Sequence, residues 1–132
     1  IRIIYVTWGI TNEELASLLP AIVRGFKYGK DEVWKVGRDM GVVKLPCGTV
    51  VTAMGRMLMR NKWNTALYGR FNDSQRTAIP QAHFHKCRPS AFWAGSTDLV
   101  DYLKTRGIKT LLFAGVQLYV EPSMLDAINL GS

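Results

Sequence analysis

Hydrophobic and polar positions in the first twenty residues predict a strand followed by a short helix. Residues 1–7 form a run of β-branched and aromatic side chains that ends near Gly9, which is typical of a buried strand. Thr11 or Asn12 can cap a helix whose first turn carries glutamates. Pro20 is expected to end that helix, because proline cannot continue its hydrogen-bond ladder.

Residues 21–62 lack a clear period and are predicted to form loops and turns, with at most one short helix or strand. Glycines recur throughout the segment, as they do in turns. A long glycine-rich segment in a compact domain is often a lid or a subunit contact. Bulky apolar side chains argue against disorder, because they gain free energy by burial: Trp34, Trp63, Met54, Met57 and Met59.

Periodicity returns in the second half of the chain. Residues 64–71 are predicted to be helical, and residues 82–86 alternate as a strand does. Residues 97–106 predict a helix with Thr97 as its cap and Gly107 as its stop.

The last thirty residues read as a strand followed by a helix. Residues 110–116 are apolar nearly throughout, which predicts a strand covered on both faces, as in a parallel sheet. Residues 123–130 predict a helix that stops at Gly131. The alternation of helices and strands predicts an α/β fold with a mainly parallel sheet, in one domain spanning residues 1–132.

Composition narrows the classes of function. The chain has a net charge of +7 and 48% hydrophobic residues, so it can build a core and attract anions. Its lysines and arginines are scattered, which does not favour a nucleic-acid-binding arm. No apolar run is long enough to cross a bilayer, and the first residues do not resemble a signal peptide. We therefore expect a cytoplasmic protein with neither a nucleic-acid nor a membrane partner.

Histidines and cysteines are few. His83 and His85 would face the same side of a strand and could touch one metal ion, but no spaced carboxylate accompanies them, so we expect no metal. Cys47 and Cys87 are interpreted as small buried or half-buried side chains rather than nucleophiles. No phosphate-binding or dinucleotide-binding glycine motif is present, and no cofactor is expected.

Two sets of motifs occur along the chain in a specific order and spacing, one in its second half and one mainly in its first half. The first comprises Lys-Cys-Arg-Pro-Ser-Ala-Phe at 86–92, Gly-Ser-Thr-Asp-Leu at 95–99, Gly-Ile at 107–108, Ala-Gly-Val at 114–116 and Asp-Ala at 126–127. The second comprises residues 6–11, 20–26, 55–60 and 63–69. The first set resembles the isochorismatase-like cysteine hydrolase family, and the second is similar to a fungal branch of that family. The resemblance implies a three-layer, Rossmann-like α/β fold.

The resemblance also implies a chemistry and assigns some of its residues. In that family a cysteine thiolate, an aspartate and a lysine act together, although the isochorismatase branch does not need the thiolate. Lys86 matches the family lysine, and Arg88 beside it would suit a carboxylate substrate. Val116 and Gln117 match a cis peptide that directs backbone N–H groups at the oxyanion.

The chain departs from the family at two catalytic positions. The aspartate has no counterpart, because the sequence begins at what looks like the second strand. Omission from a longer protein, a swapped strand or a rearranged sheet would each explain this. The cysteine position falls on Glu121 when counted forward from Val116, and on Tyr119 when counted back from the Asp-Ala pair. Glu121 could act as an acid or base, or it could cap a helix that has Pro122 in its first turn.

Two functions remain open. The first is an isochorismatase-like hydrolase acting on a small anionic amide, ester or vinyl ether. The second is a catalytically degenerate relative, a pseudoenzyme that serves as a binding or oligomer partner. Family members usually form dimers or larger oligomers, for which residues 54–59 are a candidate contact. Three residues could line the substrate entrance or serve only in packing: Arg56, Trp63 and Asn64.

Overall fold

The computed structural model describes residues 2–25, 35–42, 44–50, 53–77, 82–93, 97–115 and 117–131. For residues 24, 25, 75–77 and 117–119 it describes the backbone alone. The fold is mixed α and β. Its elements in chain order are β1 (Ile4–Trp8), α1 (Asn12–Ala16), α2 (Pro20–Gly25), a single 3-10 turn (Trp63–Thr65), α3 (Arg70–Thr77), β2 (Ala82–Lys86), α4 (Leu99–Thr105) and α5 (Gln117–Asn129).

The chain divides into two compact units. The sheet unit comprises Ile1–Val6 and Gln81–Ser132, and the turn-rich unit comprises Thr7–Pro80. The single domain expected over residues 1–132 stays a prediction. Among the described residues, none of the helices has the length and hydrophobicity that a bilayer crossing requires.

Strands β1 and β2 form a small parallel sheet, and β2 and the first three residues of β1 belong to the sheet unit. Both strands confirm predictions from the sequence. The described core is a cluster of buried side chains from the turn after β2, from α4 and from α5: Ala91, Phe92, Leu99, Leu103 and Ala127. Ile4, Val6 and Phe84 pack against this cluster, so alternate residues of each strand face the core.

Helix α4 ends where its sequence predicts, but it begins at Leu99 with Asp98 rather than Thr97 as its N-cap. The Thr97 hydroxyl accepts a hydrogen bond from the Leu99 amide at 2.9 Å. At the other end Gly107 has φ 63°, a left-handed conformation that glycine adopts without a steric penalty. The amides of Gly107 and Ile108 donate to the carbonyls of Lys104 and Leu103, which closes the helix with a Schellman motif.

The predicted strand over residues 110–116 is wrong for the described residues 110–115, which have no regular structure. Leu112 is 90% exposed, and Phe113 is 37% exposed. An apolar run predicts burial only where a neighbouring strand offers its backbone groups. Among the described residues the sheet has β1 and β2 alone, so the segment has no strand partner there.

Three predicted helix boundaries are also wrong. Pro20 does not end α1, which closes at Ser17, but begins α2, where its missing amide proton costs nothing. The helix expected over residues 64–71 is a 3-10 turn followed by α3, and Gly69 with φ 52° lies between them.

The third wrong boundary is the start of α5, which begins at Gln117 rather than at residue 123. Glu121 and Pro122 therefore lie inside the helix, and Glu121 does not cap it. Because Pro122 lacks an amide proton, the carbonyl of Leu118 loses its usual helical donor. Gly131, with φ 76°, follows the helix end as predicted.

The described parts of residues 21–62 agree with the predicted loops and turns: α2 ends at Gly25, and residues 35–42, 44–50 and 53–62 contain turns and isolated bridges. Thr11 and Glu14 form a capping box that starts α1, as the sequence predicts. The fully buried Ile10 forms an isolated parallel bridge with Met59. Gly37 has φ 81°, and a Cβ at that position would lie 2.5 Å from Leu15 Cδ2, so only glycine fits without a shift.

Replacing a buried and an exposed leucine of the sheet unit separates the observed packing from the strand expected at 110–116. We expect Leu103→Ala to lower the free energy of unfolding by about 2–5 kcal/mol, because it removes a core side chain that is 6% exposed. The matched variant Leu112→Ala should cost less than about 0.5 kcal/mol. Urea unfolding measures both. Equal losses would contradict the fold described for residues 110–115.

Candidate functional site

Lys86 is the last residue of β2, and its side chain is only 5% exposed. Its Nζ donates a hydrogen bond of 2.6 Å to the carbonyl of Pro89 in the following turn. A buried lysine is uncommon because its charge loses hydration, and it persists where polar groups replace the water. The carboxyl end of a parallel strand is also where open α/β sheets bind ligands.

Residues 86–92, which we call the Lys86 turn, are held in place by buried hydroxyl groups. Ser90 is 1% exposed, and its Oγ accepts a hydrogen bond from the Phe92 amide at 3.1 Å. The Ala91 amide donates to the Ser123 Oγ on α5 at 3.2 Å. The turn is therefore attached to α5 as well as to β2, which positions Lys86.

Burial lowers the pKa of Lys86 from its ordinary value of 10.5 to about 8. Most of the molecules still carry the ammonium charge at pH 7. A partly dehydrated cation attracts an anion more strongly than a surface lysine does, because less water screens the interaction. Lys86 can therefore hold a carboxylate, and above its pKa it can accept a proton.

Arg88 contributes a second cation to the Lys86 turn. Its guanidinium carbon lies 5.4 Å from the ring centroid of Trp93, a cation–π contact on a ring that is 47% exposed. Stacking restricts the guanidinium, so less conformational freedom is lost when it pairs with a carboxylate.

The remaining catalytic candidates belong to α5 or to the residue before it. Glu121 lies on α5 and is exposed. Val116 and the side chains of Gln117 and Tyr119 lie outside the described residues, so the cis peptide and the role of Tyr119 stay predictions. Sequence reasoning missed the role of Ser123 in holding the Lys86 turn. The sequence pattern indicates only that Ser123 lies four residues before Ala127, on the same face of the helix, and Ala127 is buried.

The turn-rich unit contains the three residues considered for a substrate entrance. Asn64 Nδ2 donates to the carbonyls of Met54 at 2.7 Å and Arg56 at 3.1 Å, and its Oδ1 accepts from the Leu58 amide at 2.9 Å. These bonds give Asn64 a structural role in its turn, and a part in lining a substrate entrance stays a prediction. Trp63 is 55% exposed.

Arg56 has a similar structural role. Its Nε donates to the carbonyl of Gly37 at 2.6 Å, and its Nη1 donates to the Asn12 Oδ1 at 2.7 Å. The Arg56 side chain therefore joins α1 to the turn that contains Gly37 and to the turn that contains Arg56 itself. A part in substrate binding stays a prediction for both Arg56 and Trp63.

The histidines lie on one side of β2, as their spacing predicts. The ring centroids of His83 and His85 are 4.5 Å apart. Burial lowers the pKa of His83, and the charge on His85 lowers that pKa further. Within the described parts of the chain, no group of three or more His, Cys, Asp or Glu side chains is arranged to hold a metal ion.

The cysteines differ in exposure. Cys87 is buried, as expected. Cys47 is exposed, contrary to expectation, because its turn lies on the surface. Its Sγ lies 3.2 Å from the Thr49 hydroxyl, and this hydrogen bond lowers the pKa of the thiol. Neither thiol occupies the position of the family nucleophile.

No protein-family model, curated protein or solved structure matches this chain. The order and spacing of the sequence motifs therefore carry the family assignment, which stands as a proposal.

Asn64→Ala tests whether this amide serves the fold. We expect the free energy of unfolding to fall by about 2–4 kcal/mol, because three backbone groups lose their partner. Asn72→Ala, at an exposed position on α3, is the control and should change stability by less than about 0.5 kcal/mol. Chemical denaturation measures both. An unchanged stability in Asn64→Ala would contradict the structural role.

The lowered pKa of Lys86 predicts a pH-dependent stability. Below pH 8 the folded state holds a charge that burial disfavours, and the unfolded chain keeps its proton up to about pH 10.5. Stability of the native protein should therefore rise between these pH values, by about 2–3 kcal/mol relative to Lys86→Met. Denaturation of both proteins at pH 7 and 10, in buffer with EDTA, measures the difference. A constant difference would contradict the burial of the ammonium.

Proposed function

We propose that this protein is a relative of the isochorismatase-like hydrolases and binds a small carboxylate at the Lys86 turn. The observation that carries the proposal is the buried Lys86 ammonium at the carboxyl end of a parallel strand. The three-layer fold of that family is part of the proposal. The turn after β2 also contains the sequence that most resembles the family, so motif and geometry coincide at one position.

Charge and rigidity both support carboxylate binding. Lys86 and Arg88 place cations two residues apart, and hydrogen bonds to Pro89 and from Ala91 fix the turn that carries them. Preorganised donors bind an anion well because little ordering is required on association. A planar carboxylate can also accept two hydrogen bonds from the Arg88 guanidinium.

The proposed reaction is hydrolysis of an amide, ester or vinyl ether that carries the bound carboxylate. Water adds to the carbonyl or vinyl carbon, the C–N or C–O bond to the leaving group breaks, and the amine or alcohol departs with a proton. Neither Glu121 nor Tyr119 can form a thioester, so a thiolate mechanism at that position is not part of the proposal. Vinyl-ether hydrolysis requires only proton transfer and attack by water. Glu121 is the candidate acid or base for these steps.

A binding or oligomer-partner function is the second candidate, favoured by the surface of α5. Three large apolar side chains of this helix are exposed: Met124 at 42%, Leu125 at 56% and Ile128 at 65%. Contiguous exposed apolar groups are typical of protein contacts. This function requires no proton transfer from Glu121.

Carboxylate binding is tested by titrating the protein with benzoate and with the neutral benzamide at pH 7, followed by NMR shifts. We expect benzoate to bind more tightly than benzamide. Lys86→Met should weaken benzoate binding by about tenfold or more, because a buried charge pair is lost. Lys104→Met, at an exposed site on α4, should bind benzoate as the native protein does. Equal binding by both variants would refute the proposal.

Hydrolysis decides between the two candidates. Carboxylate-bearing amides, esters and vinyl ethers are incubated with the protein, and products are separated by chromatography. In the hydrolase, Glu121→Gln should lower the rate by about a hundredfold, whereas Glu13→Gln at an exposed site on α1 should not change it. Carboxylate binding without any product would favour the binding function.

A further inference from the structure

The two faces of the small sheet differ in what they carry. Ile4, Val6 and Phe84 face the core of the sheet unit. Because successive side chains of a strand point to opposite faces, His83 and His85 lie on the other face of β2. Both are half-buried, so they are fixed by their surroundings and still accessible.

The spacing of the two rings suits a shared metal ion. Their centroids are 4.5 Å apart, and their planes are tilted by 53°. An ion bonded at ~2.0 Å to a nitrogen of each imidazole, with a bond angle between right and tetrahedral, places the centroids roughly 4.4–5.1 Å apart. The observed separation of the ring centroids falls within that range.

We propose that His83 and His85 together bind one divalent ion of the late first-row transition metals. Imidazole nitrogen is a preferred ligand of Zn²⁺, Ni²⁺ and Cu²⁺, and affinities for such ligands rise towards copper. Each ring has a second nitrogen that can keep a hydrogen bond while the first coordinates the ion. Water can fill the remaining coordination positions. This proposal is independent of carboxylate binding at Lys86.

The chain makes the test direct, because these are its two histidines. Their ring C–H signals are followed by proton NMR in the native protein while the paramagnetic ion Ni²⁺ is added below stoichiometry. We expect both imidazoles to broaden together at the same nickel concentration. Broadening of neither ring would refute the site. This measurement requires no variant. Because paramagnetic broadening extends over the 4.5 Å between the rings, single-histidine variants decide whether both imidazoles coordinate the ion.

Two variants add an affinity measurement. Nickel binding is measured by calorimetry in a Cys47→Ser background, which removes the exposed thiol as a competing ligand. His83→Gln and His85→Gln should each weaken nickel binding by about tenfold or more, because only one imidazole then coordinates the ion instead of two. Circular dichroism checks that each variant is folded. Affinity unchanged in either folded variant would overturn the proposal.

Discussion

Burial of one ammonium group is the constraint around which the sheet unit is arranged. Lys86 ends β2 with 5% of its side chain exposed, and the carbonyl of Pro89 replaces part of its lost hydration. The hydrogen bond from Lys86 to the Pro89 carbonyl requires the chain to reverse direction immediately after β2. Ser90 and Ser123 then hold the turn against the core and against α5. The free-energy cost of burying the Lys86 ammonium is thereby offset by several hydrogen bonds that involve the backbone of the turn.

Both units bury apolar side chains, and polar contacts between turns are added in the turn-rich unit. The sheet unit has a cluster of apolar side chains that includes Phe92, Leu99 and Leu103. In the turn-rich unit, Arg56 joins segments that are far apart in sequence, and Asn64 bonds to backbone groups of the turn before it. Thr65 acts in the same way, since its buried hydroxyl donates to the Met59 carbonyl at 2.9 Å. Turns without a regular ladder need such partners for their backbone groups.

The proposed carboxylate site and the proposed metal site use opposite faces of the same strand. Phe84 and Lys86 belong to the face that packs on the core and its adjoining turn, and His83 and His85 belong to the other. A five-residue strand can therefore serve two chemistries without competition between its side chains. The proposed hydrolase function concerns only the first face.

The sequence by itself determined the elements whose signals are local. The helix start at Thr11 and the helix stop at Gly107 each depend on residues a few positions apart, so their structures agree with prediction. The alternation of 82–86 predicts β2, although that strand also needs β1 as its partner. Lys86 was also identified from sequence, through its motif. Tertiary structure alone decided the state of residues 110–115 and the hydrogen bonds of Asn64. The first depends on a strand partner distant along the chain, and the second depends on the path of the turn that precedes Asn64. Periodicity and spacing specify neither.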